Sequence, residues 1–321
     1  MTLAVPGRDA GPASRAWRRS AWAPACAGAL LAGCATVPSA EPPVAATPMA
    51  ATVAPPPAAM TPGSVPPGMQ YLYGSGEGAA ISIQAWRGLV GYAAARAKAR
   101  PTDSVVLASG ATLDAPRFVP CGAKPLAAVF DVDETVLLNL GFEADDAAHP
   151  GRSYDQARWQ AWERTGVAQV SPVPGAREAL ATLRAMGVTP VFNTNRSVGT
   201  VEQTAASLNG AGLGPARHGE TLFVAGDDPT GSRKDLRRAT IAARYCVIAM
   251  GGDQLGDFSD LFNAGQPVRA RRDAVAAPAL ALLWGAGWFV LPNPVYGSAL
   301  KGGLDDVFPA DKRWYSPGAA Q

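Results

Sequence analysis

The chain has 321 residues, of which 48% are hydrophobic, and its formal net charge is +2. This composition suffices for one large or two small domains, and the near-neutral charge gives no indication of a nucleic-acid polymer as partner. The two histidines, His149 and His218, stand among loop-forming residues, so zinc, phosphohistidine and Ser-His-Asp chemistries are disfavoured.

The N-terminal segment predicts export. A cluster of arginines precedes an alanine-rich apolar stretch from Ala21 to Gly33, which is too short to span a bilayer. The stretch ends in Leu-Ala-Gly-Cys34, which resembles the bacterial lipobox. We therefore expect residues 1–33 to be a lipoprotein signal peptide and Cys34 to carry acyl chains that anchor the protein to the membrane. The alternative is an ordinary secretory signal with an accidental cysteine. Ala35, rather than aspartate, follows the cysteine, which implies the outer membrane.

Residues 34–68 are dominated by proline and alanine and lack large apolar side chains, so they predict a disordered tether. Folding is expected to begin near Met69. A helix is predicted from about Ala79 to Ala99, because it must end before Pro101. No other stretch is apolar enough to predict a transmembrane helix.

A run of five apolar residues, Leu126 to Phe130, is typical of a buried parallel strand and leads directly into acidic residues. Ligands of open α/β sheets bind at the carboxyl ends of the strands. Asp131 is therefore predicted to be a nucleophile and a metal ligand, and Asp133 a general acid and base. The alternative is an aspartate-rich turn without chemistry.

The string Asp131-Val-Asp133-Glu134-Thr135 resembles motif I of the haloacid dehalogenase (HAD) superfamily of phosphohydrolases. Its longer form resembles the bacterial class C acid phosphatases, which are outer-membrane lipoproteins. The resemblance implies an α/β, HAD-like Rossmannoid fold over residues 69–321, with a central parallel sheet flanked by helices. It also implies a small, mainly helical cap formed by about 69–100 and 139–172; a helix that simply covers the sheet is the alternative for the first segment.

Two tryptophans of the polar insert, Trp159 and Trp162, are spaced three residues apart, as on one face of a helix. Trp162 is our candidate for stacking on a substrate ring, and packing within the cap is the alternative.

A helix is predicted from Pro174-Gly175 to Gly187, followed by a strand at Val191 and Phe192 with Pro190 at its start. Thr194-Asn195-Arg196 then resembles motif II, which implies that Thr194 and Asn195 bind a phosphate oxygen.

A third strand is predicted from Leu222 to Val224, and a helix from Ser232 to about Arg244. Lys234 matches the motif III lysine, which would keep Asp131 ionised and offset phosphate charge. The neighbouring arginines at 233, 237 and 238 are interpreted mainly as a solvated basic face.

Cys246 to Met250 predicts a fourth strand that leads into Asp253-Gln254-Leu-Gly-Asp257-Phe, which resembles motif IV. Asp253 is expected to bind metal directly and Asp257 to help through water; Gln254 departs from the expected asparagine. Cys121 and Cys246 both precede strands, and a disulfide and two buried thiols remain equal alternatives.

A fifth strand is predicted from Trp288 to Leu291, and the loop after it holds Tyr296. The resemblance implies that Tyr296 borders the substrate; packing of the loop is the alternative.

The resemblance as a whole implies an acid phosphatase that hydrolyses small phosphomonoesters, including nucleoside 5′-monophosphates, through an aspartyl-phosphate. It implies Mg²⁺ held by the carboxylates of Asp131 and Asp253 and the backbone carbonyl of Asp133. The alternatives are a phosphatase for one sugar or cofactor phosphate, and a non-catalytic envelope lipoprotein that retains the fold.

Overall fold

The computed structural model describes residues 65–263 and 265–316. The predicted signal peptide, the lipidation site Cys34 and the tether as far as residue 64 lie outside the described residues. The last part of the predicted tether already enters a short helix at Pro67. In the two described ranges, none of the helices combines the length and the apolar character needed to cross a bilayer.

Strands and helices alternate in the middle of the described chain, from residue 171 to residue 252. The strands are β1 (Asp103–Leu107), β2 (Phe118–Pro120), β3 (Leu126–Phe130), β4 (Leu137–Leu138), β5 (Ser171–Pro172), β6 (Thr189–Ser197), β7 (Leu222–Ala225), β8 (Cys246–Gly252) and β9 (Trp288–Val290). The α-helices are α1 (Pro67–Met69), α2 (Gly76–Lys98), α3 (Leu140–Ala148), α4 (Gln156–Thr165), α5 (Ala176–Ala185), α6 (Val201–Gly210), α7 (Asp235–Arg244), α8 (Val268–Ala276), α9 (Pro278–Ala281) and α10 (Leu304–Val307). Short 3₁₀ or π turns occupy Gln70–Gly74, Val198–Thr200, Leu255–Asp257, Asp260–Asn263, Ser298–Leu300 and Ala310–Lys312.

Five strands form the central sheet in the order β7-β6-β3-β8-β9, and every neighbouring pair is parallel. This confirms the predicted fold class. The chain builds outward from β3 through β6 and β7, then returns to the other side of β3 with β8 and β9. The strand order therefore reverses at β3, and Asp131 follows β3 directly, at the switch point where such sheets bind ligands.

Both faces of the sheet are covered, which is why its strands are nearly continuous apolar runs. One face packs Trp86 and Leu89 of α2 and Leu180 of α5 against the sheet, and the rings of Trp86 and Phe130 lie 5.2 Å apart. The other face buries Ile241 of α7 among its apolar residues.

Helix α2 starts three residues before the predicted position because Ser75 caps it: the Ser75 hydroxyl accepts a hydrogen bond of 2.9 Å from the backbone N–H of Gly78. Most of the segment 69–100 thus covers the sheet. Of the two alternatives for this segment, a covering helix rather than part of a cap describes it. Met69, at its beginning, still lines the main cavity.

Strand β6 is longer than predicted and contains Pro190, which is the register partner of Ala128 in β3. Pairing of β6 with β7 begins only at Phe192. Pro190 therefore lies in the first part of β6, before the strand has neighbours on both sides. A missing backbone N–H is tolerated there.

Cys121 and Cys246 form a disulfide that closes a separation of 125 residues. It joins the segment before β3 to the first residue of β8, and β3 and β8 are neighbours in the sheet. The disulfide alternative is therefore the one that the structure contains.

Candidate active site

The residues predicted from motifs I, III and IV meet at the carboxyl edge of the sheet. Asp131 follows β3, Asp253 follows β8, and Lys234 immediately precedes α7. All three line one cavity of about 650 Å³, together with Asp133 and Asp257. Residues that are far apart in the chain thus share one site.

Asp131, Asp253 and Asp257 form an acidic cluster, in which each offers a carboxylate oxygen within 4.8 Å of the others. Burial raises the pKa of Asp131 well above its usual range, with the other acids adding to the rise, and burial with Asp257 raises the pKa of Asp253 to about 7. Three buried carboxylates repel each other and are costly to keep ionised, and a divalent cation would offset that cost. The oxygen donors therefore fit a hard divalent metal. Asp257 is close enough to supply a ligand oxygen itself.

Lys234 is buried and bridges two of these carboxylates. Its Nζ donates hydrogen bonds to Oδ1 of Asp131 and, at 2.7 Å, to Oδ1 of Asp257. Burial lowers the pKa of the ammonium group, but the two carboxylates outweigh it and the pKa is raised. Lys234 thus remains charged and lies beside Asp131. Its charge does not by itself overcome the burial of Asp131, whose pKa stays high.

Lys234 is held in place by Asp260. Oδ1 of Asp260 accepts a hydrogen bond of 2.8 Å from the backbone N–H of Lys234, and Oδ2 accepts one of 2.9 Å from that of Asp235. The carboxylate satisfies N–H groups at the start of α7. The helix therefore begins at Asp235 rather than at the predicted Ser232.

The interpretation of Arg237 and Arg238 as a solvated face is wrong, because both side chains are buried. Arg237 donates to Oδ1 of Asn193 and Asn195 at 2.9 and 2.7 Å. Arg238 donates to the carbonyls of Gly256 and Asp257 at 3.0 and 2.9 Å, which orients the motif IV loop. The available signal for Arg238 was its spacing of four residues from Lys234, which places both on one helix face.

The side chain of Asp133 lies apart from the acidic cluster and is held by Arg196. Oδ1 of Asp133 accepts hydrogen bonds from Nε and Nη2 of Arg196 at 2.9 and 2.8 Å, and from Nδ2 of Asn139 at 2.9 Å. Arg196 is only 2% exposed. No role was predicted for Arg196; the available signal was the two-residue alternation of a strand, which predicts Thr194 and Arg196 on the same face.

The two predicted phosphate-binding residues of motif II have different surroundings. Asn195 lines the cavity and is fixed by Arg237. Thr194 is fully buried, its Oγ1 accepts a hydrogen bond of 3.1 Å from the backbone N–H of Arg196, and it is not part of the cavity wall. A phosphate contact of Thr194 stays a prediction.

Trp159, rather than Trp162, is the tryptophan in the cavity wall. The Trp162 ring lies over Gly141 and Gly166, where an added Cβ would come within 2.7 and 2.1 Å of it. Its Nε1 donates to Oδ1 of Asn139 at 3.3 Å. The prediction that Trp162 stacks on a substrate ring is therefore corrected: Trp162 packs within the insert, as the alternative stated.

Tyr296 lines the cavity and also holds its loop in place, and a contact between Tyr296 and the substrate stays a prediction. Its hydroxyl donates to Oε2 of Glu134, and the Tyr73 hydroxyl donates to Oε1 of Glu134 at 3.2 Å. Glu134 is buried with a φ of 52°, and burial raises its pKa to about 8. Glu134 thus joins three distant segments beneath the cavity.

Gln254, the departure from the motif IV pattern, bridges the metal-ligand candidate and the same loop. Its Nε2 donates to Oδ2 of Asp253 at 3.0 Å, and its Oε1 accepts a hydrogen bond of 3.1 Å from the backbone N–H of Ser298. Gly297, at a φ of 103°, leaves room for this contact, since a Cβ there would lie 2.4 Å from Oε1.

Buried aspartates and a bridging lysine thus lie at the switch point of a doubly covered parallel sheet, which is the arrangement predicted for a phosphohydrolase site. Residues 87–299 match the family model of the HAD superfamily, subfamily IIIB (acid phosphatase), and the chain belongs to this family. It is therefore a phosphoric monoester hydrolase. Phosphatases of the superfamily generally use a divalent metal, for which the acidic cluster offers ligands.

Solved structures show the same fold. A class C acid phosphatase from Bacillus anthracis, and a class C acid phosphatase from the same organism with tungstate bound, each superpose with a TM-score of 0.59. Each is 23% identical in sequence, and the match covers 72% of this chain and 84% of the other. No curated protein sequence matches the chain significantly.

Proposed function

We propose that this protein is a Mg²⁺-dependent acid phosphatase that hydrolyses phosphomonoesters through an aspartyl-phosphate on Asp131. The observation that carries the proposal is the contact between Lys234 and one oxygen of Asp131, inside a buried cluster with Asp253 and Asp257 at a cavity wall. We further propose broad specificity that includes nucleoside 5′-monophosphates.

The first step is attack of an Asp131 carboxylate oxygen on phosphorus. The bond to the ester oxygen breaks as the new P–O bond forms, which gives an aspartyl-phosphate and an alkoxide. Lys234 touches the attacking carboxylate, so its positive charge lies where negative charge gathers during transfer. Water then attacks phosphorus, which releases phosphate and regenerates Asp131.

Asp133 is proposed to donate a proton to the leaving oxygen and then to accept one from the attacking water. All of its side-chain hydrogen bonds with described residues fall on Oδ1, from Arg196 and Asn139. This leaves Oδ2 available to carry the proton. Acid–base catalysis of this kind contributes roughly 10²–10⁴-fold to a rate.

Mg²⁺ would be held by Asp131, Asp253 and Asp257, with the backbone carbonyl of Asp133 as a further predicted ligand. When bound, the ion would supply charge neutralisation and orientation of the transferring phosphoryl group. The all-oxygen donor set supports Mg²⁺ over softer metals.

The cavity supports broad specificity. Its wall combines aromatic side chains, including Trp159 and Tyr296, with polar ones, a mixture that accommodates a nucleoside without one dedicated contact. A phosphatase for one sugar or cofactor phosphate is the second candidate. The presence of Asp131, Asp133, Lys234 and Asp253 together argues against a non-catalytic lipoprotein.

We also propose that the protein is anchored to the outer membrane through acyl chains on Cys34. The arginine-rich start, the lipobox resemblance and the proline- and alanine-rich tether support this location. The Cys121–Cys246 disulfide supports an oxidising compartment. Wild-type protein is expected in the membrane fraction of cells and a Cys34→Ser variant in the soluble envelope fraction; equal distribution of the two would contradict lipid anchoring.

The activity is tested with full-length protein and p-nitrophenyl phosphate. Asp131→Asn is expected to abolish turnover while the protein stays folded, whereas Asp114→Asn, on an exposed loop, keeps full activity and serves as the matched control. EDTA is expected to stop the wild-type reaction and Mg²⁺ to restore it. Near-normal turnover by Asp131→Asn would rule out the nucleophile, and full activity in excess chelator would rule out the metal.

A panel of nucleoside 5′-monophosphates, sugar phosphates and cofactor phosphates then tests breadth. Comparable kcat/KM values across the nucleotides are expected. A preference of more than about a hundredfold for a single sugar or cofactor phosphate, or roughly 2.8 kcal/mol, would instead favour the narrow-specificity candidate.

A further inference from the structure

Glu143 is a buried carboxylate in the cavity wall that the proposed chemistry does not use. It lies in the first turn of α3, is 5% exposed and lines the same cavity as Asp133 and Phe142. Within residues 65–263 and 265–316, no side chain donates a hydrogen bond to its carboxylate or forms an ion pair with it. Buried acids in proteins are almost always paired, and this one is open to the cavity, where a partner from outside the chain can reach it.

The protein has a cation near this position but uses it elsewhere. Arg158 of α4 pairs with Asp145 and Asp146, and its guanidinium lies 4.0 Å from the centre of the Phe142 ring. Burial raises the pKa of Glu143 to about 7; Asp146 and Asp133 add to the rise and Arg158 only partly opposes it. Glu143 therefore faces the cavity without a compensating positive charge.

The surrounding wall is acidic and aromatic. Outside the three-aspartate cluster, the acids of the wall are Asp133, Glu143 and Asp146, and Lys234 is the one lysine or arginine that lines the described cavity. Lys234 is already bonded to Asp131 and Asp257. Asp133 and Asp146 are paired with Arg196 and Arg158, so Glu143 is the acid of this wall at which a second phosphate would meet repulsion and a positive charge would be attracted.

We propose that Glu143 determines specificity by accepting a charge-assisted hydrogen bond from an ammonium group on the leaving group. The favoured substrates are then aromatic phosphomonoesters that carry a protonated amine, with the ring against Phe142, Trp159 or Tyr154 in the same wall. This inference rests on the proposed phosphatase function and adds the substrate class that the cavity selects.

The test uses two substrates that differ in one group. O-phosphotyramine and 4-ethylphenyl phosphate have the same phenolic leaving oxygen and similar shape, and only the former carries an ammonium group. At about pH 8, where the Glu143 carboxyl group is ionised, full-length wild type is expected to prefer O-phosphotyramine by about tenfold or more in kcat/KM, as a hydrogen bond to a charged group would provide. In Glu143→Gln the preference is expected to fall to about twofold or less, a residual that a neutral hydrogen bond would leave.

The ratio of the two kcat/KM values separates specificity from damage to the fold, because lost active protein lowers both equally. Glu202→Gln, an exposed residue of α6 outside the cavity wall, is the matched control and keeps the wild-type ratio. A wild-type ratio near one, or a ratio unchanged in Glu143→Gln, overturns the proposal.

A binding measurement keeps the inference separate from the proposed activity. Tyramine and 4-ethylphenol are titrated into Mg²⁺-containing wild-type and Glu143→Gln protein by calorimetry. If tyramine binds wild type more tightly than 4-ethylphenol does, and the variant loses this difference, the role of Glu143 is supported. This holds even if neither phosphate ester is hydrolysed, which would refute only the proposed function. Equal affinity of tyramine for both proteins overturns the inference about Glu143.

Discussion

The pair formed by Arg196 and Asp133 provides a quantitative test of how the site is assembled. Arg196 is 2% and Asp133 13% exposed at the side chain, and both guanidinium contacts fall on one carboxylate oxygen. Arg196 also donates to Oδ1 of Asn139 at 2.8 Å. Because the pair is nearly shielded from water, removing one partner leaves a charge without compensation.

We expect Arg196→Met to lower the free energy of unfolding by about 3–5 kcal/mol, the usual cost of breaking a buried pair from one side. Asp133→Asn is also expected to destabilise the protein, because it leaves the buried guanidinium without its anion. The double variant should lose less than the sum of the two single variants, with a coupling energy of about 1–3 kcal/mol.

Urea unfolding of full-length protein, followed by tryptophan fluorescence, gives all the values of this cycle. Arg164→Met, an exposed arginine of α4, is the matched control and should change stability by about 0.5 kcal/mol or less. Additive losses, with a coupling energy near zero, would show that Arg196 does not hold Asp133 through its charge, and the positioning argument would fail.

Further predictions concern charge and covalent linkage. Lys234→Met should lower kcat on p-nitrophenyl phosphate by roughly 10²–10³-fold at saturating Mg²⁺, and an unchanged kcat would remove the lysine from catalysis. Replacing Cys121 and Cys246 by alanine should lower the free energy of unfolding by about 2–4 kcal/mol, because the crosslink spans 125 residues. Burial raises the pKa of Glu143 from 4.5 to about 7, so the contribution of this residue to stability is most favourable below pH 4.5 and is lost as the pH rises through 7. Glu143→Gln should therefore be more stable than wild type at about pH 8, on the order of 1–3 kcal/mol, and lose this advantage at low pH; an advantage independent of pH would contradict this account.

The positions of the five sheet strands were readable from local sequence. Each contains an apolar run, which in four of the five leads into polar or glycine residues and in β9 into Leu291 and Pro292. Apolar side chains suit both faces of a doubly covered parallel strand. The order of the strands then predicted Asp131 and Asp253 to lie together, because parallel strands present their carboxyl ends at the same edge of the sheet. Lys234 was added to them by its resemblance to motif III. The boundaries were less accurate: β6 continues past Phe192 to Ser197, and α7 begins at Asp235 because a side chain from residue 260 caps it.

Local sequence patterns could not predict the contacts between side chains that are distant in sequence. Arg196 meets Asp133 across 63 residues, and Gln254 meets Ser298 across 44. Arginine is usually a surface residue, yet Arg237 and Arg238 are both buried. Their burial is tolerated because their guanidinium groups donate hydrogen bonds to carbonyl or amide oxygens of other segments. Trp159 and Trp162 share a spacing that cannot reveal which ring meets the cavity and which covers Gly141 and Gly166.

The sequence by itself therefore determined the class of fold and the chemical groups at the edge of the sheet, since hydrophobic runs and their polar ends are properties of adjacent residues. Only the tertiary structure decided which charges are paired and which, like Glu143, are left facing the cavity. Burial and pairing depend on the packing of whole elements, and no short stretch of the chain carries that information.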